Sequence, residues 1–250
     1  MQITGFDLLN MTNIEGGKLS ATIFLQGCNL RCPYCYNTSL LAQTTEQEFS
    51  QKEVIEKIKQ RENVLQGVCI TGGEPTMDYS GLLRLVREIK EVMGKGFYIK
   101  LDTNGTIPHH LTSDLLECID YIAMDIKSPK VFINNGKIGE PEHKEMLNYF
   151  EKLRQSLWTI EENHVPYEFR TTMFTKEEFE KELVNEYRDF EKKFFDEVQT
   201  LNHQMVTYYL QHFTKTDTVL DQNTQEVTEV EVRRWQIELE PLFRQIVVRN

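Results

Sequence analysis

Ala21-Thr22-Ile23-Phe24-Leu25-Gln26-Gly27-Cys28-Asn29-Leu30-Arg31-Cys32-Pro33-Tyr34-Cys35 runs from a short apolar, β-rich stretch straight into a loop with three cysteines. The run 21–25 reads as a buried strand, and Gln26-Gly27 opens the loop beyond its C-terminal end. The same unit recurs downstream: residues 67–71, 97–101, 121–126, 167–173 and 205–210 are further candidate strands. Helical patterns lie between them, and strands alternating with helices imply a parallel α/β sheet.

Ser50 and Glu53 stand in capping-box spacing before Val54, Ile55 and Ile58, which marks a helix start. A second helix carries Leu82, Leu85, Val86, Ile89 and Val92 on one face and stops at Gly94. Two longer amphipathic patterns follow: Met146, Phe150, Leu153, Leu157, Ile160, and then Phe179, Leu183, Tyr187, Phe190, Phe194, Val198. The remaining positions of the second are rich in Glu and Lys, the composition of a solvated helix face. Residues 214–223 read as a polar loop, 229–243 as a helix and 246–249 as a short final strand. No internal repeat and no Pro-, Gly- or Ser-rich linker divides the sequence, so residues 1–250 are expected to form one domain.

The chain has 28 basic and 39 acidic residues, a net charge of −11, and an isoelectric point near 5.1. Such a protein must overcome its own field before it can neutralise phosphates, which excludes non-specific nucleic-acid binding. No run approaches the ~18 apolar residues of a membrane span, and the polar start lacks the basic and apolar regions of a signal peptide. A cytoplasmic location is expected. The five cysteines are an odd number, and three are clustered rather than spread as a disulfide framework would be.

Cys28, Cys32 and Cys35 have the spacing C-x-x-x-C-x-x-C, and the reading expects thiols of lowered pKa that meet at one metal. Three sulfurs suit an iron–sulfur cluster, since structural zinc generally demands a fourth protein ligand. The nearest histidines in sequence are His109 and His110, and Cys69 sits in an apolar run where a thiol behaves as a small hydrophobe. Thr71-Gly72-Gly73-Glu74-Pro75 ends the second strand. Its glycines let backbone approach a ligand, and its carboxylate or carbonyls can accept from an ammonium group, although Gly-Gly is also an ordinary turn.

Leu101-Asp102-Thr103-Asn104-Gly105 ends the third strand with groups able to bind an amine or ribose hydroxyls. Met124-Asp125-Ile126-Lys127 ends the fourth, with an acid and a base on one side and a lysine able to hold a carboxylate. In the fifth, Glu168, Arg170 and Thr172 point one way and Phe169, Thr171 and Met173 the other; a structural Glu168–Arg170 pair is the plainer reading of those charges. The sixth leads to Leu210-Gln211-His212-Phe213, where a lone histidine beside an aromatic is more often structural. Each group stands at the C-terminal end of a successive strand, where barrels assemble active sites.

With these residues in place, the sequence resembles the radical S-adenosylmethionine (SAM) superfamily, and within it the activating proteins of anaerobic ribonucleoside-triphosphate reductase. The resemblance rests on Gly16-Gly17-Lys18, Phe24 to Cys28, the three cysteines with Tyr36-Asn37, the Gly-Gly-Glu turn, Asp102 to Gly105, Asp125-Ile126-Lys127, Glu168 to Thr172 and Leu210 to Phe213. It implies a partial (β/α)6 TIM-like barrel, with a four-iron four-sulfur [4Fe-4S] cluster on Cys28, Cys32 and Cys35, and SAM held on the fourth iron by its amino and carboxylate groups. Carried over by position, Gly72, Gly73 and Glu74 face the methionine amine, and Asp102, with Thr103 and Asn104 beside it, the amine or ribose. Lys127 and Arg170 are candidates for the carboxylate, while Tyr34 and Asn37 lie near the adenine. The implied reaction is one-electron cleavage of SAM to a 5′-deoxyadenosyl radical, which takes hydrogen from a glycine Cα of the reductase, with a flavodoxin or ferredoxin as electron donor. Two features depart from the pattern: Tyr36 stands where many relatives have His, and the acidic stretch 176–199 is longer than the usual connection. Two alternatives stand beside this reading, a radical SAM enzyme acting on a small molecule, such as a 7-carboxy-7-deazaguanine synthase-like protein, and a zinc-stabilised binding module.

Overall fold

The computed structural model describes residues 1–11, 14, 17–41, 48–127, 140–175, 194, 196, 206–243 and 245–249. Its frame is a sheet built on β1 (Ile3–Asn10), β2 (Ser20–Leu25), β3 (Gly67–Gly72), β4 (Tyr98–Thr103), β5 (Tyr121–Asp125), β6 (Tyr167–Thr175), β7 (Thr207–His212) and β9 (Gln245–Arg249). These strands lie side by side in that order, with a short β8 (Gln225–Glu226) pairing off β6. β1 is antiparallel to β2; from β2 onward every neighbour along the order is parallel. The six expected strands are thus β2 to β7, in chain order, as in a partial α/β barrel. β1 and β9 stand at the two ends of the order.

The helices are α1 (Gln51–Lys59), α2 (Tyr79–Met93), a single turn α3 (Ser113–Leu116), α4 (Glu140–Glu162) and α5 (Glu229–Leu239). The Ser50 side chain accepts from the Glu53 amide and the Glu53 carboxylate accepts from the Ser50 amide, which is the reciprocal box read from the sequence. Gly94 ends α2 at φ +87°, a conformation that only glycine adopts cheaply. No described helix is long and apolar enough to cross a membrane.

Strand alternation divides the sheet into two faces. Ala21, Ile23, Val68, Ile70, Ile99, Leu101, Ile122 and Met124 join one apolar core with Val54, Ile58, Leu82, Leu85, Ile89, Leu153 and Leu157. The opposite parity carries Cys69, Lys100, Asp102, Asp125, Glu168 and Arg170, so the inner face of the barrel is polar.

Several boundaries move. The strand expected at 97–101 runs to Thr103, the one at 121–126 stops at Asp125, and the one at 205–210 occupies Thr207–His212, so Asp102, Gln211 and His212 lie within strands. The last helix ends at Leu239 rather than at residue 243. β1 was not anticipated: Gly5, Asp7 and Asn10 interrupt its alternation, and the β1–β2 ladder takes up the irregularity as register shifts. Gly16, Met205 and, apart from Phe194 and Asp196, the stretch 176–199 lie outside the described residues.

Candidate functional site

A cavity of about 920 Å³ opens at the C-terminal ends of the strands. Cys28, Cys32, Cys35, Tyr34, Asn37, Gly72, Gly73, Glu74, Asp102, Thr103, Asn104, Lys127 and Arg170 all line it, so the cluster and cofactor residues expected from the sequence meet in one place. Among the described residues, no three His, Cys, Asp or Glu side chains converge as a single bound ion requires.

The cysteine loop is fixed from three sides. Gly73 N–H donates to the Leu25 carbonyl (2.8 Å) and Glu74 N–H to the Gly27 carbonyl (2.7 Å), clamping the Gly-Gly-Glu turn onto the loop entrance. A Cβ on Gly73 would fall 2.0 Å from the Gly27 carbonyl oxygen, and Gly72, at φ +125°, would meet the Leu25 backbone at 2.3 Å. The two glycines are therefore required by a backbone-to-backbone approach and not only by a turn.

On a second side, Asn29 Nδ2 donates to Thr106 Oγ1 (2.7 Å), Asn104 Nδ2 donates to Asn29 Oδ1 (3.0 Å), and Thr106 donates from both N and Oγ1 to Asn104 Oδ1. On the third, the Leu220 amide donates to the Cys35 carbonyl (3.1 Å) and the Asp221 amide to the Pro33 carbonyl (2.9 Å). Tyr36 joins that side: its hydroxyl donates to the Thr214 carbonyl (2.7 Å), accepts from the Thr214 amide (3.0 Å), and its ring stacks on Phe213 at 5.8 Å. Tyr36 thus anchors the cysteine loop to the 214–223 segment.

The thiols depart from expectation. Burial pushes Cys28 up to about 11, and burial likewise raises Cys32 and Cys35, with the Lys127 charge pulling the latter two back. In the metal-free chain they are protonated, and ligation must release their protons. Tyr34 is buried against Phe174 with ring centroids 4.7 Å apart, its hydroxyl has no hydrogen-bond partner among the described residues, and Lys127 Nζ lies 5.8 Å above its ring.

Glu74 is buried, and its carboxylate accepts from Thr76 N (3.1 Å), Thr76 Oγ1 (2.6 Å), Thr103 Oγ1 (2.7 Å) and Asn104 N (2.6 Å). The burial still outweighs those bonds and raises its pKa. A carboxylate so engaged is a tie between the β3 and β4 turns; of the two acceptors offered by the sequence reading, the turn's carbonyls are the ones left for an amine. The Thr103 and Asn104 side chains are likewise committed to these ties. Asp102 differs, because its Oδ1 is buried without a hydrogen bond, with the Lys100 ammonium 4.0 Å away.

The charges sort themselves differently from the simplest pairing. Glu168 does not pair with Arg170: it takes Lys100 (3.1 Å) and the Tyr121 hydroxyl (3.3 Å). Arg170 bridges Asp102 (3.1 Å) and Asp125 (2.8 Å), and Lys127 also holds Asp125, at 2.7 Å. Register explains this, since Asp125 faces Arg170 across the β5–β6 ladder. Cys69 lies on this inner face beside Asp102, so it is a buried thiol in a polar layer and not a filler of the apolar core; burial raises its pKa well above the ordinary value.

Burial disfavours charge on Asp125, but Arg170 and Lys127 overcome it and hold its pKa below the ordinary 3.8. A depressed carboxyl contributes stability that is present above that value and lost as pH falls through the folded pKa. Urea unfolding of the wild type should therefore lose stability more steeply below pH ~3.8 than Asp125→Asn does. Equal slopes in the two proteins would refute this assignment.

Of the other lining residues, the sequence reading marks Thr172 and Gln211 at strand ends without assigning them a role, and it missed Arg249. Only the place of β9 beside β7 brings Arg249 to the cavity. It also missed Asn29, Thr106 and the 220–221 backbone as supports, of which Asn29 and Thr106 each stood next to a marked residue.

Comparisons with known proteins bear on this geometry. Residues 22–190 match the family described as the Radical SAM superfamily. A Methanocaldococcus jannaschii protein named, provisionally, as a glycyl-radical enzyme activating enzyme is 34% identical over 64% of this chain and 63% of its own length. The 7-carboxy-7-deazaguanine synthase of Hyperthermus butylicus is 35% identical over 37% of each chain. The chain thus spans less than two thirds of the length of either relative. Among solved structures, a spore photoproduct lyase mutant with dinucleoside spore photoproduct overlays with a TM-score of 0.57 at 14% identity, covering 95% of this chain and 78% of that one, a likeness of fold.

Proposed function

Because the chain belongs to the radical SAM superfamily, we propose that its cavity holds a [4Fe-4S] cluster and SAM, and that it serves to activate a glycyl-radical enzyme, with anaerobic ribonucleoside-triphosphate reductase as the partner. The observation that carries this reading is the convergence, on one cavity, of three thiols, a glycine turn that no side chain could fit, and a buried carboxylate oxygen that accepts no hydrogen bond. Three sulfurs are the donor set of an iron–sulfur cluster. A cluster held there and reduced by a low-potential donor such as a flavodoxin or ferredoxin would supply one electron to the SAM sulfonium, whose C5′–S bond would break to give methionine and the 5′-deoxyadenosyl radical.

The protein's part is to position and to exclude water. Cys28, Cys32 and Cys35 hold the cluster. The carbonyls of the Gly72-Gly73 turn and Asp102 Oδ1 accept from the methionine amine, Lys127 and Arg170 face its carboxylate, and Tyr34 and Asn37 border the adenine. Lys127 keeps donors to spare beyond Asp125, whereas Arg170 is divided between two acids. Lys127→Ala should weaken SAM binding roughly ten- to a hundred-fold, the worth of a charge-assisted hydrogen bond, with the cluster spectrum unchanged. Unaltered SAM affinity, measured by equilibrium dialysis, would confine Lys127 to pairing with Asp125.

The likeness of Glu168 to Thr172 to the reductase activators supports that partner. The deazaguanine synthase relative supports the second reading, a small-molecule substrate. Incubating reduced protein, SAM and the anaerobic reductase of the same cell, then recording electron paramagnetic resonance, separates them. A stable glycine-centred doublet on the reductase is expected. Deoxyadenosine release that depends on a small metabolite, with no radical on the reductase, would favour the alternative.

A further inference from the structure

The acids and bases on the β4–β6 side of the cavity are matched to one another, but the opposite flank is not. Thr172 on β6 is in register with Gln211 on β7, and Gln211 with Arg249 on β9. The three side chains form a row across the last three strands, and all line the cavity. Among the described residues none of them makes a side-chain hydrogen bond or an ion pair. Arg249 is nevertheless fixed: its guanidinium lies over the Tyr209 ring, 3.5 Å from the centroid. Stacking on an aromatic face holds the planar fork while leaving its N–H edge open. A hydroxyl, an amide and a guanidinium edge in one row are the donors that a carboxylate takes, and arginine recognises that group bidentately.

Resting on the function proposed above, we infer that Thr172, Gln211 and Arg249 form a subsite for a carboxylate of the substrate, supplied by an acidic side chain near the glycine of the partner's loop. The carboxylate of SAM is placed elsewhere. Lys127 follows β5, and β9 lies three strand intervals away in the order β5-β6-β7-β9, about 14 Å along the sheet at ~4.8 Å per interval. The row also lies beside one end of the strand order. Since the chain as a whole carries −11, attraction of an acidic segment has to be local, and at physiological salt charges beyond about 8 Å are largely screened.

The test uses protein carrying its reconstituted cluster, with SAM present and ionic strength near 0.15 M. Calorimetry compares a synthetic glycine-centred peptide bearing one Asp, the same peptide with Asn, and glutarate, on the wild type, Arg249→Gln and Arg249→Lys. The Asp peptide should bind the wild type at least ten-fold more tightly than the Asn peptide. Arg249→Gln should abolish that preference and Arg249→Lys restore part of it, with SAM affinity and cluster absorbance unchanged. Glutarate binding that depends on Arg249, with neither peptide bound, would keep the carboxylate subsite while overturning the glycine-loop reading. A ten-fold loss of SAM affinity in Arg249→Gln, or no probe whose binding depends on Arg249, would overturn the subsite itself.

Discussion

Replacing Cys28, Cys32 or Cys35 with Ser is expected to take the anaerobically reconstituted protein from about four irons per chain to almost none and to remove its brown absorbance. All three thiols line the same cavity, so loss of any one leaves two sulfurs for a cluster that needs three from the protein. Cys69→Ser and Cys118→Ser serve as controls. Cys69 sits in the charged layer beside Asp102, and Cys118 is partly exposed near Arg87; both variants should keep full iron content. The raised pKa values of the three thiols add a second expectation. Iron uptake must displace their protons, so reconstitution should release protons and run faster as pH rises from 7 to 9. Stoichiometric zinc with no reconstitutable iron would contradict the assignment.

Gly73→Ala should be strongly damaging for a single added methyl group. Its Cβ would sit 2.0 Å from the Gly27 carbonyl oxygen and 2.5 Å from the carbonyl carbon. Both are backbone atoms held by the Gly73-to-Leu25 and Glu74-to-Gly27 hydrogen bonds, so no side chain can swing aside to relieve the overlap. The loop bearing Cys28 has to move away from the turn, which opens the SAM cradle and the cluster loop together. Overpacking of this kind costs about 3 kcal/mol, a fall of roughly 6 to 12 °C in Tm for a chain of this size. Gly96→Ala, whose Cβ meets nothing within 4 Å, is the matched control and should be neutral. A Gly73→Ala protein with native Tm and full iron content would show that the clamp does not govern the site.

The parts of this architecture that were legible in the sequence are those written locally. The β-rich apolar runs at 21–25, 67–71 and 121–126 depend on adjacent residues, and the box at Ser50 and Glu53 on neighbours three apart. The placement of functional groups at strand ends followed from the same runs. Partner choice among charges was not legible. Glu168 and Arg170 share a strand face, yet Glu168 reaches Lys100 and Arg170 reaches Asp102 and Asp125, because the register of β4, β5 and β6 decides which side chains meet across the barrel. The seating of Leu220 and Asp221 on the cysteine loop is made by backbone groups, which carry no residue signature. Cys69 was read wrongly as a small hydrophobe of an apolar run, although it lies two residues from Thr71 and so shares the parity of the site.

The account rests most directly on whether this cavity cleaves SAM. Reconstituted protein would be reduced with dithionite in the presence of SAM, and methionine and 5′-deoxyadenosine quantified over time, with Cys28→Ser treated identically. The wild type should form the two products in equal amounts and Cys28→Ser neither. A wild-type protein that carries a full, reducible cluster and binds SAM, yet releases no deoxyadenosine even with the anaerobic reductase added, would contradict it.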